Sequence, residues 1–98
     1  MIFVKEKFGA VLNTRDLGAK FRNLIINELD KNGEVILDFE GVRSLSQSFA
    51  DESLAKLAEK IGFEDFKAEV KMINLNDDNV SVIKYVITQR IKKDKTVV

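Results

Sequence analysis

Cysteine and histidine are both absent from this sequence of 98 residues, and these two absences exclude much of the chemistry that enzymes use. Disulfides and thiol nucleophiles need cysteine, zinc sites are built mainly from cysteine and histidine, and the commonest general base is histidine. Searches for a phosphate-binding loop, a dinucleotide-binding loop and a calcium loop also find none. We therefore expect a protein that is not an enzyme and that has neither a metal site nor a cofactor.

Long apolar runs and a charge of one sign are also lacking. No run approaches the roughly 20 apolar residues that span a bilayer, and no signal-peptide pattern opens the chain. The 16 basic and 16 acidic residues cancel, so no overall charge attracts nucleic acid or a membrane surface. Because the lack of cysteine also fits a reducing compartment, we expect a cytoplasmic protein that binds neither nucleic acid nor membrane.

The residues that are present have the composition of one small folded domain. Apolar residues make up 45% of the chain and charged residues 33%, which is typical of a folded protein with a single core. Basic residues gather near the end of the sequence, where cations complement the dipole of a helix C-terminus. We expect this basic tail to fray from about residue 92.

Strand-like and helix-like patterns alternate three times along the chain. The predicted strands cover residues 1–8, 35–39 and 70–75. The predicted helices begin at Asn13 or Thr14, at about Ser48 and at Asn76 or Asp77, while Phe63 and Phe66 are placed in a single turn. Such alternation favours a parallel sheet covered by helices. We expect one α/β domain over residues 1–98, with a three- to four-stranded, mostly parallel sheet and three helices in β-α-β-α-β-α order.

Residues 38–52, which we call the elbow, join the second predicted strand to the second predicted helix. The strand itself is a nearly continuous apolar run, which suits a central strand covered on both faces. A strand-to-helix elbow holds side chains on rigid elements yet leaves them exposed, so functional groups are often found there. Asp38, Gly41 and Ser44 are predicted to organise the elbow, with Asp38 accepting hydrogen bonds near the end of the strand.

The start of the second helix carries serines and carboxylates. Either Ser46 or Ser48 can cap the helix by accepting a hydrogen bond from a free backbone N–H group. Asp51 and Glu52 lie in its first turn, where the helix dipole favours negative charge. The Ser48 hydroxyl can also serve as a phosphoacceptor at the helix N-terminus, although the two carboxylates oppose an added dianion.

Phe49 is the one large apolar residue of the elbow that lies away from the apolar stripe of its helix. At about 100° per residue, it is rotated by roughly 100° from the stripe that contains Leu54, Leu57 and Ile61. Two interpretations stay open. Phe49 either packs against the first helix or the loop below it, or it contacts another protein as an aromatic anchor.

Residues 35–42 (V-I-L-D-F-E-G-V), Ser44 and residues 48–52 (S-F-A-D-E) closely resemble the STAS-like domain family of unknown function. The order of elements agrees with that family over nearly the whole chain. The family is related to the STAS domains of anti-sigma-factor antagonists, in which a serine at the start of a helix is phosphorylated by a serine kinase of the histidine-kinase-like ATPase fold. The resemblance implies a STAS-like fold, with Asp38 at the strand aspartate and Ser48 at the phosphoacceptor position.

The chain departs from the antagonist pattern on both sides of Ser48. Ser46 stands where the antagonists usually have an acidic residue, and Phe49 stands where they have a small glycine. A bulky Phe49 is expected to alter the approach of a kinase.

The elbow and the resemblance together favour a non-enzymatic regulatory module that binds other proteins, resembles anti-sigma-factor antagonists and is switched by phosphorylation of Ser48. The expected partner is a regulatory protein, and the resemblance implies a serine kinase of the histidine-kinase-like ATPase fold. The predicted partner-binding residues are Ser46, Gln47, Ser48, Phe49, Asp51 and Glu52.

Two other classes of function stay open. One is a small domain that binds an anion or a nucleotide at the N-terminus of the second helix, an interpretation that the acidic first turn opposes. The other is a structural oligomerisation unit that contacts its copies through Val82 and Tyr85 or through an open sheet edge. The expected state of the chain is a monomer or a weak homodimer.

Overall fold

The computed structural model describes the backbone of residues 1–95 and the side chains of residues 1–92. Its strands are β1 (Ile2–Phe3), β2 (Val11–Leu12), β3 (Val35–Asp38), β4 (Ser44–Leu45) and β5 (Val70–Ile73). Its helices are α1 (Val4–Phe8), α2 (Arg15–Asn32), α3 (Gln47–Ala50), α4 (Lys56–Ile61), α5 (Phe63–Glu69) and α6 (Asp77–Lys95). A π-helical turn (Asp51–Ala55), which we call the π-turn, joins α3 to α4, so the chain is continuously helical over residues 47–61.

The strands form a three-stranded parallel sheet in the order β1-β3-β5, and a separate parallel pair, β2 and β4. Leu37 lies beside Ile2 on one side and Met72 on the other, so β3 is the central strand. The prediction of a small α/β domain with a mostly parallel sheet and a central strand near residues 35–39 is confirmed.

The ends of the long helices are set by local signals that the sequence carries. The Thr14 hydroxyl accepts a hydrogen bond of 3.1 Å from the N–H of Leu17 and caps α2, which ends at Gly33 with a φ of 75°. The side-chain oxygen of Asn76 accepts a hydrogen bond of 2.8 Å from the N–H of Asn79 and caps α6. These caps agree with the predicted starts of both helices.

The core lies between one face of the sheet and the helices. Phe21 is at its centre and packs edge-on against Phe8 and Phe39, with ring centroids 5.4 Å and 6.2 Å away. Phe49 stacks on the same ring at 5.5 Å. Aromatic pairs in this range stabilise a fold by about 0.5–1.5 kcal/mol each, in addition to the area they bury.

The opposite face of the sheet is largely uncovered. Phe3, Ile36 and Ile73 are 49%, 36% and 39% exposed, and they lie on the three neighbouring strands. The prediction that the central strand is covered on both faces is therefore wrong. The described helices pack on one face only, so the apolar run reflects a half-covered strand rather than a buried one.

Two predicted elements are also wrong in type or length. The first strand ends at Phe3, because residues 4–8 form helix α1, which buries Val4. The single turn predicted around Phe63 and Phe66 is the helix α5 of 7 residues, which buries Phe66 and leaves Phe63 37% exposed. Both helices are too short to show a clear helical period in the sequence.

The end of the chain is only partly covered by the structure. The tail that is expected to fray from about residue 92 begins within α6, which the structure describes to Lys95. The remainder of the predicted tail, residues 96–98, lies outside the described residues. Among the helices described, none combines the length and the apolar character that crossing a bilayer requires.

Candidate functional site

The elbow begins where β3 reaches the carboxyl edge of the sheet. There one carboxylate oxygen of Asp38 accepts hydrogen bonds from the N–H of Glu40 at 2.9 Å and from the side chain of Asn74 at 3.0 Å. These donors, Asn74 first, lower the pKa of Asp38 below its usual value because they stabilise the ionised form. The predicted role of Asp38 as a hydrogen-bond acceptor at the strand end is confirmed.

The turn after β3 depends on Gly41. Its φ of 81° lies in the left-handed region that favours glycine, as predicted for a residue that lets the chain turn. Ser44 then enters β4, where its backbone pairs with Val11 of β2. Ser44 therefore contributes to the elbow through its backbone in the β2–β4 pair.

A buried asparagine fixes the elbow to the last helix. Asn79, 1% exposed, accepts a hydrogen bond from the N–H of Leu45 and donates one to the carbonyl of Val42, each at 3.2 Å. Both side-chain polar atoms are thus satisfied inside the core, where an unpaired amide would cost about 1–3 kcal/mol. The sequence does not indicate this role, because Asn79 lies in the first turn of the helix that is predicted to begin at Asn76 or Asp77.

Ser46, and not Ser48, caps the helix that follows. The Ser46 hydroxyl accepts a hydrogen bond of 3.0 Å from the N–H of Phe49. Ser48 is the second residue of α3, and its side chain is exposed. Because Ser46 caps the helix, the Ser48 hydroxyl is not needed for capping.

Phe49 points into the core instead of toward solvent. It is fully buried, and its ring stacks on Phe21 at a centroid distance of 5.5 Å. Of the two interpretations of Phe49, packing against the first long helix is the one that the structure shows. Its inclusion among the residues that contact a partner is wrong, because no partner can reach a ring buried under α2.

The π-turn that follows α3 is pressed closely against α2. A side-chain carbon at Gly18 would lie 2.8 Å from the carbonyl oxygen of Phe49 and 3.0 Å from the Cβ of Glu52. The buried Ser53 donates a hydrogen bond of 2.7 Å to the same Phe49 carbonyl. Only glycine at position 18 allows the two backbones to approach this closely.

Asp51 and Glu52 are held in a network of ion pairs that joins three helical segments. Asp51 lies 2.8 Å from two nitrogens of Arg90 on α6 and 2.9 Å from Arg15 on α2. Glu52 pairs with Lys56 at 2.9 Å, Arg22 at 3.0 Å and Arg15 at 3.2 Å, and Arg22 also donates to the Glu52 carbonyl. The two carboxylates therefore do not form a free acidic rim.

These cations shift the titration of both carboxyl groups. Hydrogen bonds from Arg90, and then from Arg15, lower the pKa of Asp51 to about 2. Hydrogen bonds from Lys56, and then from Arg22 and Arg15, lower the pKa of Glu52 to about 2. Both groups are ionised at neutral pH, and each is a weak base because the cations around it stabilise its charge.

A polar cavity of about 230 Å³ opens beside Ser48. We call it the elbow pocket, and its lining residues are Arg15, Gln47, Ser48, Asp51, Tyr85, Val86 and Gln89. Arg15 and Tyr85 are each about half exposed there, so a cation and a phenol are accessible next to the Ser48 hydroxyl. Every element that lines the pocket is fixed by the ion pairs or by the core.

The model of the STAS-like domain of unknown function (DUF4325) matches residues 18–80, which is more than half of the chain. The chain belongs to this STAS-like family. The match covers the elbow, the π-turn and β5, so the STAS-like fold expected from the resemblance is confirmed. No curated protein and no solved structure gives a significant match.

In this STAS-like domain, the predicted site residues separate into two groups. Ser46, Gln47, Ser48, Asp51 and Glu52 lie together around the start of the elbow helix, while Phe49 is buried beneath them. The long-range partners of the site are not among the predicted residues; they are Arg15, Arg22, Asn79 and Arg90. A glycine inside an apolar helical pattern, Gly18, was the one local signal that another backbone approaches closely here.

The reactive group at the elbow is the Ser48 hydroxyl, which can receive a transferred group such as a phosphate or contact a bound partner. Ser48 has no histidine or free carboxylate near it to remove its proton, because the closest carboxylate in the pocket, Asp51, is engaged by two arginines. Among the described residues, no group of three or more potential metal-ligating side chains comes together.

Proposed function

We propose that this STAS-like domain is a non-enzymatic regulatory module that docks onto a regulatory protein through the elbow pocket and is switched by phosphorylation of Ser48. The observation that carries the proposal is the position of Ser48, which is exposed at the rim of a polar pocket whose other elements are held rigidly. A serine in this position can be reached by a kinase and read by a partner without unfolding the domain.

The proposed docking surface lacks Phe49 and gains two residues of α6. Gln47 and Ser48 are exposed, Ser46 and Asp51 are half-buried at the rim, and Phe49 contributes only by packing the helix from below. Tyr85 and Gln89 of α6 complete the surface, since they line the same pocket. Tyr85 is the aromatic anchor that the interface has available, because it is 51% exposed and its partner contact needs no rearrangement.

Phosphorylation of Ser48 has a direct electrostatic consequence in this pocket. A phosphoserine carries a charge of about −1.5 to −2 and would stand beside Asp51, which repels it. Arg15 lines the same pocket and is already paired with Asp51 and Glu52. The phosphate would therefore compete with these carboxylates for Arg15 and change the charge pattern that the partner meets. By family resemblance, the kinase is an ATP-dependent serine kinase of the histidine-kinase-like ATPase fold.

The test of docking compares two substitutions of the same kind. Gln47→Lys changes an exposed residue of the elbow pocket, and Asn23→Lys makes the same change from amide to cation on the exposed surface of α2. A partner captured from an extract of the native cells and then purified should bind the Gln47→Lys domain about tenfold more weakly and the Asn23→Lys domain normally. Equal affinity of both variants for the partner would show that the elbow pocket is not the interface.

A second candidate function is the binding of a small anion or a nucleotide at the same place. The acidic first turn was expected to oppose it, but Asp51 and Glu52 are neutralised by cations, and Arg15 faces the pocket. The N–H groups of Gln47 and Ser48 also lack intrahelical acceptors, as at any helix start. A thermal-shift screen against nucleotides tests this function, because a ligand at 100 times its Kd stabilises the fold by about 2.7 kcal/mol.

The oligomerisation alternative has some support in the exposure of Tyr85, although Val82 is half-buried in its own chain. Sedimentation over a range of concentrations separates it from the docking proposal. A dimer that Tyr85→Ala dissociates would assign the surface around Tyr85 to a second copy.

A further inference from the structure

The outer edge of β5 has backbone groups that no strand pairs. Within residues 1–95, β5 pairs with β3 on one side and with no strand on the other. The N–H of Phe39 donates to the Ile73 carbonyl, so the backbone groups of Ile73 face β3. Because these groups alternate along a strand, the N–H and C=O of Met72 face away from the sheet. This is the geometry that accepts an additional strand.

An apolar groove of about 420 Å³ lies beside this open edge. β5 contributes Val70 and Met72 to its wall, α5 contributes Phe66, and α6 contributes Ile83 and Ile87. A strand added to the edge would point every second side chain into the groove. The edge and the groove together therefore provide the two requirements of β-strand addition, which are main-chain hydrogen bonds for affinity and pockets for alternate side chains.

The charge of the groove indicates what kind of segment it fits. Lys67 and Lys84 line it, and no carboxylate is among its described lining residues. These two lysines favour acidic residues in the segment that binds. They disfavour a second copy of this chain, because pairing β5 with β5 about a two-fold axis would bring two such grooves and their lysines together.

We propose that the β5 edge binds an extended segment of another protein that carries both apolar and acidic side chains on the face that meets the groove. On that face the apolar side chains enter the groove and the acidic ones approach Lys67 and Lys84, while the backbone pairs with Met72. The groove and the elbow pocket share no lining residue, so this proposal does not depend on the function proposed for the elbow.

The probe for this site is a synthetic peptide of about ten residues that carries valine and glutamate on one face of the strand and serine at the positions between them. Its binding to the intact domain should shift the amide resonances of residues 70–73 and slow hydrogen exchange at the Met72 amide by about tenfold. A peptide in which lysine replaces glutamate is the matched control, and it should bind more weakly because it meets two lysines.

Charge reversal at the groove tests the proposal without altering the core. Exchanging both Lys67 and Lys84 for Glu should weaken binding of the valine–glutamate peptide by about tenfold and make the valine–lysine peptide the better ligand. Lys20→Glu, an exposed site on α2, should leave both affinities unchanged.

Three results would overturn the proposal. The first is that neither peptide binds, and the second is that peptide binding shifts resonances away from residues 70–73. The third is that the protein alone sediments as a dimer in which the Met72 amide is already protected, which would show that a second copy covers the edge.

Discussion

The elbow and the outer edge of β5 are two exposed regions of one small scaffold, and they differ in how their polar groups are satisfied. At the elbow, Asp51, Glu52 and Asn79 are all paired with groups from distant elements. At the β5 edge, the backbone of Met72 faces outward beside an apolar groove.

This difference indicates two kinds of recognition. At the elbow, the charged groups and the capping groups already have partners within the domain, so its surface is fixed. A binding protein can recognise the shape of this surface and the free hydroxyl of Ser48. A region with unpaired backbone groups offers hydrogen bonds themselves, so it suits an extended segment that has no structure of its own. The same 98 residues can therefore hold a rigid surface and an adaptable one.

The largest loss of stability should come from removing the Phe49 ring, which supports the elbow from below. Phe49→Ala leaves a cavity against Phe21, and large-to-small changes of this kind cost about 3–5 kcal/mol of the free energy of unfolding. Phe63→Ala, at a ring that is 37% exposed, is the matched control and should cost clearly less. Urea unfolding measures both values. If Phe49→Ala cost no more than Phe63→Ala, the ring would not support the elbow.

A smaller loss is expected when the close approach of α2 to the π-turn is blocked. Gly18→Ala adds a carbon 2.8 Å from the Phe49 carbonyl, and such overpacking costs about 1–3 kcal/mol. Helix propensity alone predicts the opposite sign, since alanine is more favourable than glycine inside a helix by about 1 kcal/mol. Asn23→Ala, exposed on the same helix, is the control. A Gly18→Ala domain more stable than the original in thermal unfolding would contradict the close packing.

The smallest of these losses of stability should be the one caused by low pH. The pKa values of Asp51 and Glu52 fall from 3.8 and 4.5 to about 2 in the folded state. Their contribution is therefore complete above about pH 5 and is lost as the pH falls toward 2, and for partly exposed pairs it amounts to about 1–2 kcal/mol. The free energy of unfolding, measured from pH 6 to pH 2, should follow this course.

The matched control for the acid effect is a carboxylate outside the network. Asp51→Asn should flatten the fall in stability below about pH 5, while Asp30→Asn should leave it unchanged, since Asp30 is exposed on α2 without an ion pair in the described part of the chain. An identical acid profile for the original and the Asp51→Asn domain would show that the network does not stabilise the elbow.

Local signals account for the parts of the fold that the sequence predicts well. Thr14, Gly33 and Asn76 act on their own neighbours, so the ends of α2 and the start of α6 can be located without knowing the fold. The central strand is recognisable from its apolar run. The strand predicted over residues 1–8 is too long because Ile2 and Val4 fall on one face of an extended chain and Lys5 and Lys7 on the other, while a helix of 5 residues is too short to show its own period.

The helical wheel places Phe49 off the apolar stripe of its helix, and its burial in the structure has a geometric cause. The helical wheel assumed a uniform helix, but the N–H of Lys56 bonds to the Asp51 carbonyl five residues earlier. This π-helical widening rotates α3 relative to α4 and brings Phe49 onto the buried face with Leu54. Nothing local in the sequence specifies such a turn, which arises where Gly18 lets α2 press against it.

The partners of the site were also beyond local reasoning. Arg15 and Arg90 lie 36 and 39 residues from Asp51, and only the fold brings them together. The serines and carboxylates of the elbow can be located from the sequence, but there Asp51 and Glu52 are explained only by the helix dipole and by partner binding. The ion pairs change that interpretation and place a cation, Arg15, beside Ser48.

The role of Ser48 as a switch can be tested by peptide mapping of this domain after incubation with ATP in an extract of the native cells. The account predicts one phosphate on Ser48, and a Ser48→Ala domain that stays unmodified while Ser81→Ala, at an exposed serine of α6, is still phosphorylated. A domain that carries no phosphate after this incubation, or that carries its phosphate on another serine, would contradict the claim that Ser48 is the switch.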